Sequence, residues 1–175
     1  MYKHIFIING SGGVGKDTFV GLVSTQLNDI LKKFHTVINF SSVDKVKEIA
    51  REIWWDGKKT EKDRKFLSDL KILISEYCDM PFESMKSKVT EFMKDEESKF
   101  LFLHIREPEE IDRVVKEFGA KTILIIRDTV KHIVSNMADE NVFNYYYDFV
   151  IDNNGTKEEL NSKAKDFIQE VIDSE

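Results

Sequence analysis

Cysteine, proline and glycine are scarce in this chain. Its 175 residues include one cysteine, two prolines and eight glycines, against roughly 9 prolines and 12 glycines in an average soluble sequence of that length. The single thiol, Cys78, allows no internal disulfide and no cysteine metal cluster, which fits a reducing cytoplasm. The shortage of proline and glycine excludes collagen-like, linker-rich and Pro/Gly-driven disordered classes. A basic excess is also missing: 26 Lys+Arg face 32 Asp+Glu, for a net charge of −6. No global positive field recruits nucleic acid, so an anionic ligand has to be held by a local cluster of cations. Long apolar runs are missing too. None approaches the ~20 residues of a membrane span. The segment Tyr2–Ile8 leads into glycines without a cleavage pattern and reads as a strand rather than a signal peptide. The expectation is a cytoplasmic monomer or homodimer with neither nucleic acid nor membrane as partner.

What is present is a regular alternation. Apolar, β-branched runs at Lys3–Ile8, Thr36–Phe40, Phe100–Ile105, Thr122–Ile126 and Phe149–Ile151 predict five short strands. The segments between them carry apolar residues at 3–4-residue spacing. Such alternation predicts βαβ units and a parallel sheet covered on both faces, in one domain spanning 1–175. Pro108, the acids after it and Gly119 delimit a helix over 108–118. Thr156 with Glu159 reads as a capping box, and Ser41 or Ser42 as the cap of the helix after the second strand. Residues 41–99 are too many for one crossover helix. Helices over about 42–54, 60–78 and 81–95 make 42–98 a helical insert.

Glycine is concentrated where chemistry needs it. Gly10, Gly12, Gly13 and Gly15 fall within six residues, and Gly10-Ser11-Gly12-Gly13-Val14-Gly15-Lys16 fits G-x-x-x-x-G-K between a predicted strand and a predicted helix. Backbone N–H groups converge on phosphate oxygens there, the helix N-terminus adds partial positive charge, and Lys16 reaches the β- and γ-phosphates. The Ser/Thr that usually follows the lysine is replaced by Asp17, with Thr18 next. Asp17 is either a Mg²⁺ ligand or a base beside the attacking oxygen, and a first-turn acid favoured by the helix dipole is the plainer alternative. Gly21, inside the first helix, has no turn to serve and is assigned to close helix–sheet packing.

This loop, the insert after the second strand, Arg106 after the third and Arg127 after the fourth resemble the nucleoside monophosphate kinase superfamily. The Gly15-Lys16-Asp17 variant resembles phage-type deoxynucleoside monophosphate kinases and animal-type phosphomevalonate kinases. The resemblance implies a three-layer P-loop kinase fold with strand order 2-3-1-4-5, the 42–98 insert as acceptor-binding region, and a short lid over 127–141. It also implies roles. Ser42, Asp44 and Lys47 lie in a stretch similar to S-T-G-D-x-x-R, which begins the acceptor site. His104-Ile105-Arg106 is similar to a D-V-R at the third strand's end, with His104 in place of the acid, and Arg106 also sits where a strand terminus opens into the ligand crevice. Arg64 on the insert grips the acceptor. Arg127, leading into Lys131, His132 and Asn136, neutralises charge on the transferring group. Asn153, Gly155 and Thr156 lie in the turn beside the donor base. Trp54-Trp55 offer stacking for an acceptor base, against simple packing.

The expected activity is ATP- and Mg²⁺-dependent phosphoryl transfer to a small phosphorylated acceptor, foremost a (deoxy)nucleoside monophosphate. Lys16, Asp17, Arg106 and Arg127 are the catalytic candidates, and Asp17 and Thr18 the metal ligands. The alternatives are a kinase of a non-nucleotide phosphate such as phosphomevalonate, and a nucleotide-binding sensor without turnover.

Overall fold

The computed structural model describes residues 2–130 and 141–174. The chain runs β1 (His4–Asn9), α1 (Lys16–Leu31), β2 (Thr36–Ser41), α2 (Asp44–Glu52), α3 (Glu61–Cys78), α4 (Met80–Lys94), β3 (Ser98–His104), α5 (Pro108–Phe118), β4 (Lys121–Ile126), a short 3-10 turn (Asn141–Phe143), β5 (Phe149–Asp152) and α6 (Lys157–Asp173). Among the described residues these strands form one five-stranded sheet in the order β2-β3-β1-β4-β5. Every neighbouring pair is parallel.

Period-two alternation divides the core between the two faces. Phe6, Ile8, Phe100, Phe102, Ile123 and Ile125 join Phe19, Val23 and Leu27 of α1 and Phe167 of α6. The intervening Ile7, Leu101 and Leu103 face α4 and α5 through Phe82, Met85, Val89, Phe92, Ile111 and Val114. Phe6 meets the rings of Phe100 and Phe167 edge-on, with centroids 5.3 and 5.1 Å apart. Each such pair is worth about 0.5–1.5 kcal/mol beyond the area it buries. No helix among the described residues is long and apolar enough to cross a membrane.

Local chemistry sets the element ends. Capping boxes start α3 (Thr60 with Asp63) and α6 (Thr156 with Glu159). Pro108 opens α5, and Gly119 closes it at φ 64°. Lys32, at φ 52°, ends α1. Two expectations are corrected. Neither Ser41 nor Ser42 caps α2: Val43 holds the N-cap position without a side-chain bond, and Asp44 instead reaches back to accept from the Ser41 N–H at 2.9 Å. Gly21 makes no close approach to the sheet, because it is exposed and a Cβ built on it meets nothing within 4 Å.

The helices between β2 and β3 play different parts. α4 belongs to the core layer, and α2 buries Val46 and Ala50. The 18-residue α3 buries one side chain, that of Lys71. Most of the segment expected to be a lid, including Lys131, His132 and Asn136, lies outside the described residues.

Candidate functional site

At the C-terminal end of β1 the chain turns through Gly10–Gly15 into α1. Gly10 (φ 139°), Gly13 (φ 87°) and Gly15 (φ 99°) adopt backbone conformations that side chains avoid. Space forbids them as well: a Cβ on Gly10 would lie 2.5 Å from the Ile125 carbonyl oxygen, and one on Gly15 2.5 Å from Asn153 Nδ2. Lys16 Nζ donates to the carbonyls of Gly10 (2.6 Å) and Ser11 (3.0 Å), so the amine lies over the loop.

Two buried asparagines hold the loop from behind. Asn9 Oδ1 accepts from the Gly10 N–H at 2.8 Å, and its Nδ2 donates to the Tyr147 hydroxyl at 2.8 Å. That hydroxyl donates onward to the Val142 carbonyl at 2.8 Å. Burial pushes the Tyr147 phenol up to about 12, so it remains a neutral donor. Asn153 Nδ2 donates to the Val14 carbonyl at 2.7 Å, while its backbone N–H bonds to Ile126. Asn153, expected beside the donor base, therefore holds the loop backbone. Asn9 and Tyr147 were not foreseen from the sequence.

Beside the loop, Asp17 is joined to the ends of β2 and β3. Asn39 Nδ2 donates to Asp17 Oδ1 at 3.2 Å, and His104 Nε2 lies 2.6 Å from Asn39 Oδ1 and 3.6 Å from Asp17 Oδ1. The Asp17 side chain is 87% exposed to the cleft and that of His104 only 15%. Burial lowers the imidazole to about 4, which outweighs the attraction of Asp17. His104 is thus neutral at pH 7, and its contact with Asn39 Oδ1 is satisfied by a proton on Nε2. Asn39 then passes an N–H on to Asp17, so the carboxylate is oriented without being neutralised.

The loop opens into a cleft of about 1370 Å³ that brings together Ser42, Asp44, Lys47, Trp55, Arg64 and Arg106. Lys47 is in ion contact with Asp44 at 3.0 Å. Trp55 faces the cleft and anchors its Nε1–H on the Lys58 carbonyl, whereas Trp54 is 93% exposed. The floor carries a group that sequence reasoning missed. Lys71 Nζ lies 2.6 Å from Glu107 Oε2 and 2.8 Å from Glu110 Oε2, joining α3 to the start of α5. Burial pushes both carboxyls up. For Glu107, the charge of Lys71 and the bond to it outweigh burial and set the group low, whereas Glu110 stays raised.

On the opposite side of the loop, Arg127 follows β4 and is exposed, and it is not among the residues lining this cleft. The next residue is tied to the β5–α6 turn: the Asp128 N–H donates to Asn154 Oδ1 at 2.7 Å, and Asn154 Nδ2 donates to Asp128 Oδ2 at 2.8 Å. Thr156 is used in the cap of α6, and a Cβ on Gly155 would lie 1.7 Å from the Glu159 carboxylate that completes it.

No protein-family model and no curated protein sequence matches the chain. Among solved structures, shikimate kinase from Aquifex aeolicus aligns over 96% of this chain and 98% of its own, with a TM-score of 0.53 and 12% identity. A sugar kinase from Janibacter sp. aligns over 97% and 95%, with a TM-score of 0.50 and 12% identity. The chain has the P-loop kinase fold. At this identity the likeness is one of architecture, and the site has to be judged on its own residues.

Within the P-loop kinase fold, the glycine cradle and Lys16 fit nucleotide phosphates. Among the described residues no cluster of three or more His, Cys, Asp or Glu is arranged to hold a metal. Mg²⁺ bound together with nucleotide phosphates and water needs only one or two protein oxygens. Asp17 and Thr18, exposed at the start of α1 beside the loop, are residues whose oxygens could hold it.

Proposed function

We propose that the protein transfers the γ-phosphoryl group of ATP, with Mg²⁺, to a small acceptor, foremost a (deoxy)nucleoside monophosphate. The observation that carries this reading is Lys16 lying across a strand–loop–helix phosphate cradle that opens into the cleft holding Arg106. The nucleoside monophosphate acceptor rests on the resemblance of Gly15-Lys16-Asp17 and on the cleft-facing Trp55.

The loop amides and Lys16 bind the β- and γ-phosphates. Asp17 and Thr18 hold Mg²⁺, which when bound draws charge from the phosphate oxygens. Asn39 and His104 fix the direction of Asp17. Arg106, with Lys47, Ser42 and Asp44, positions the acceptor. Arg127 approaches the transferring group from the side of β4. An acceptor oxygen attacks the γ-phosphorus, the bond from that phosphorus to the bridging oxygen breaks, and ADP leaves with the electron pair. An ionised phosphate oxygen needs no base. For a hydroxyl acceptor Asp17 serves instead as the base that takes the proton, in place of its metal role.

A second reading takes a non-nucleotide acceptor, such as phosphomevalonate or a hydroxyl compound of the kind named for the shikimate and sugar kinases. It is favoured by the carboxylates in the cleft, where Asp44 and Glu107 already compensate Lys47 and Lys71. The test is ADP release with a panel of (deoxy)nucleoside monophosphates, phosphomevalonate, shikimate and sugars. Turnover confined to one class identifies the acceptor. ATP binding without turnover on any of them sinks the kinase reading in favour of a sensor.

A further inference from the structure

Arg64 differs from the other basic side chains of α2 and α3 that line or flank the cleft with a carboxylate partner, and Arg51 of α2 lies instead over the Trp55 ring. Lys45, Lys47, Lys65 and Lys71 are each in ion contact with a carboxylate: Glu48, Asp44, Asp69, and the pair Glu107 and Glu110. Among the described residues no carboxylate is in ion contact with Arg64. Its Nε donates to the Lys59 carbonyl at 3.2 Å, which fixes the guanidinium plane and leaves the four Nη hydrogens for a ligand. The Thr60–Asp63 capping box holds the turn that carries it. The decisive observation is proximity across the cleft: a Cβ built on Gly12 would lie 4.0 Å from Arg64 Nη1. Arg64, with no carboxylate in ion contact among the described residues, therefore sits beside the phosphate loop.

We propose that Arg64 is a catalytic residue of the donor site, binding the γ-phosphoryl group from the side of α3 while the loop and Lys16 bind it from below. This rests on the ATP-kinase reading and deepens it, moving Arg64 from the acceptor to the group in transfer. A γ-phosphate seated on the loop amides beside Gly12 lies within reach of the Nη atoms, and the planar fork matches its non-bridging oxygens. As the acceptor oxygen bonds to the γ-phosphorus and ADP departs with the bridging oxygen and its electron pair, charge spreads over those oxygens, where a fixed cation is most effective. ATP alone then draws α3 toward the loop. ADP, lacking the γ-phosphate, does not.

The test is calorimetric titration, without acceptor, of Mg²⁺-ADP and of a non-hydrolysable Mg²⁺-ATP analogue into wild type, Arg64→Ala, Arg64→Lys and Lys16→Ala, with the unliganded melting temperature of each checking the fold. Arg64→Ala is expected to weaken the ATP analogue about tenfold or more and to leave ADP within about twofold, with Arg64→Lys between. Unchanged affinity for the analogue, with only the acceptor KM raised, overturns the proposal and returns Arg64 to the acceptor. Equal loss for both nucleotides also overturns it, because that is a general electrostatic or structural effect. If Lys16→Ala leaves both affinities unchanged, or wild type binds neither nucleotide, the donor site itself is refuted, a result distinguishable from failure at Arg64 alone.

Discussion

His104 places a buried neutral imidazole beside the phosphate loop, and this makes the fold sensitive to acid. Its folded value, about 4, lies below the ordinary 6.5. The unfolded chain therefore takes up a proton first as pH falls. The stability at stake is fully present above pH 6.5 and is lost progressively toward pH 4, on the order of 3 kcal/mol in all. Urea midpoints at pH 7.5 and pH 4.5 should separate by more in wild type than in His104→Gln, and equal separations would refute the assignment. Gly21 gives a prediction of opposite sign. It is exposed inside α1 with open space at its Cβ, so Gly21→Ala should raise stability by about 0.5–1 kcal/mol in a urea titration. The sequence suggested packing there because a mid-helix glycine usually has a reason. Only the structure shows that nothing approaches it. Asn39 was hidden for another cause. An asparagine near a strand end carries no signal by itself, and it acquires one when β2–β3 pairing sets Ser41 beside His104.

Helix α3 shows how an element can be legible while its attachment is not. Its limits were expected at about 60–78 from apolar spacing, and the structure places it at Glu61–Cys78 behind a capping box. Lys71 reads in sequence as one more lysine on a charged helix. Its partners lie 36 and 39 residues away, beyond any local pattern, and its relative exposure is only 6%. Removing Lys71 leaves two carboxylates facing each other, so Lys71→Met should cost about 2–3 kcal/mol, trimmed by solvent at Glu107. Adding Glu107→Gln and Glu110→Gln should recover most of it. Urea denaturation of the single and triple variants checks this, and a triple variant no more stable than the single one would contradict it. Helix α5 was fully legible because Pro108 and Gly119 are local stop signals that the tertiary structure did not override.

At the scale of the molecule, the parallel sheet was readable because the central strands β1, β3 and β4 are buried on both faces and read as apolar runs. The strand order came through the resemblance and is the order observed. The glycine loop between β1 and α1 was readable because all its parts are contiguous in sequence. The cleft beside it was not, since Lys47, Trp55 and Arg106 come from three separate segments and meet only in the folded chain. That convergence is testable by fluorescence. An acceptor that stacks in the cleft should change the emission of wild type and Trp54→Phe but not of Trp55→Phe, and a signal that follows Trp54 instead would place the acceptor elsewhere. The central claim is that the cradle at Gly10–Lys16 serves transfer of a phosphoryl group rather than nucleotide binding alone. Its most direct measurement is the fate of label on the γ-phosphate of ATP, incubated with Mg²⁺ and the acceptor panel. The account predicts label in a new phosphorylated product with one class of acceptor, reduced by about 10²-fold or more in Lys16→Ala. Label that stays in ATP, or is released only as inorganic phosphate with every acceptor, would contradict it.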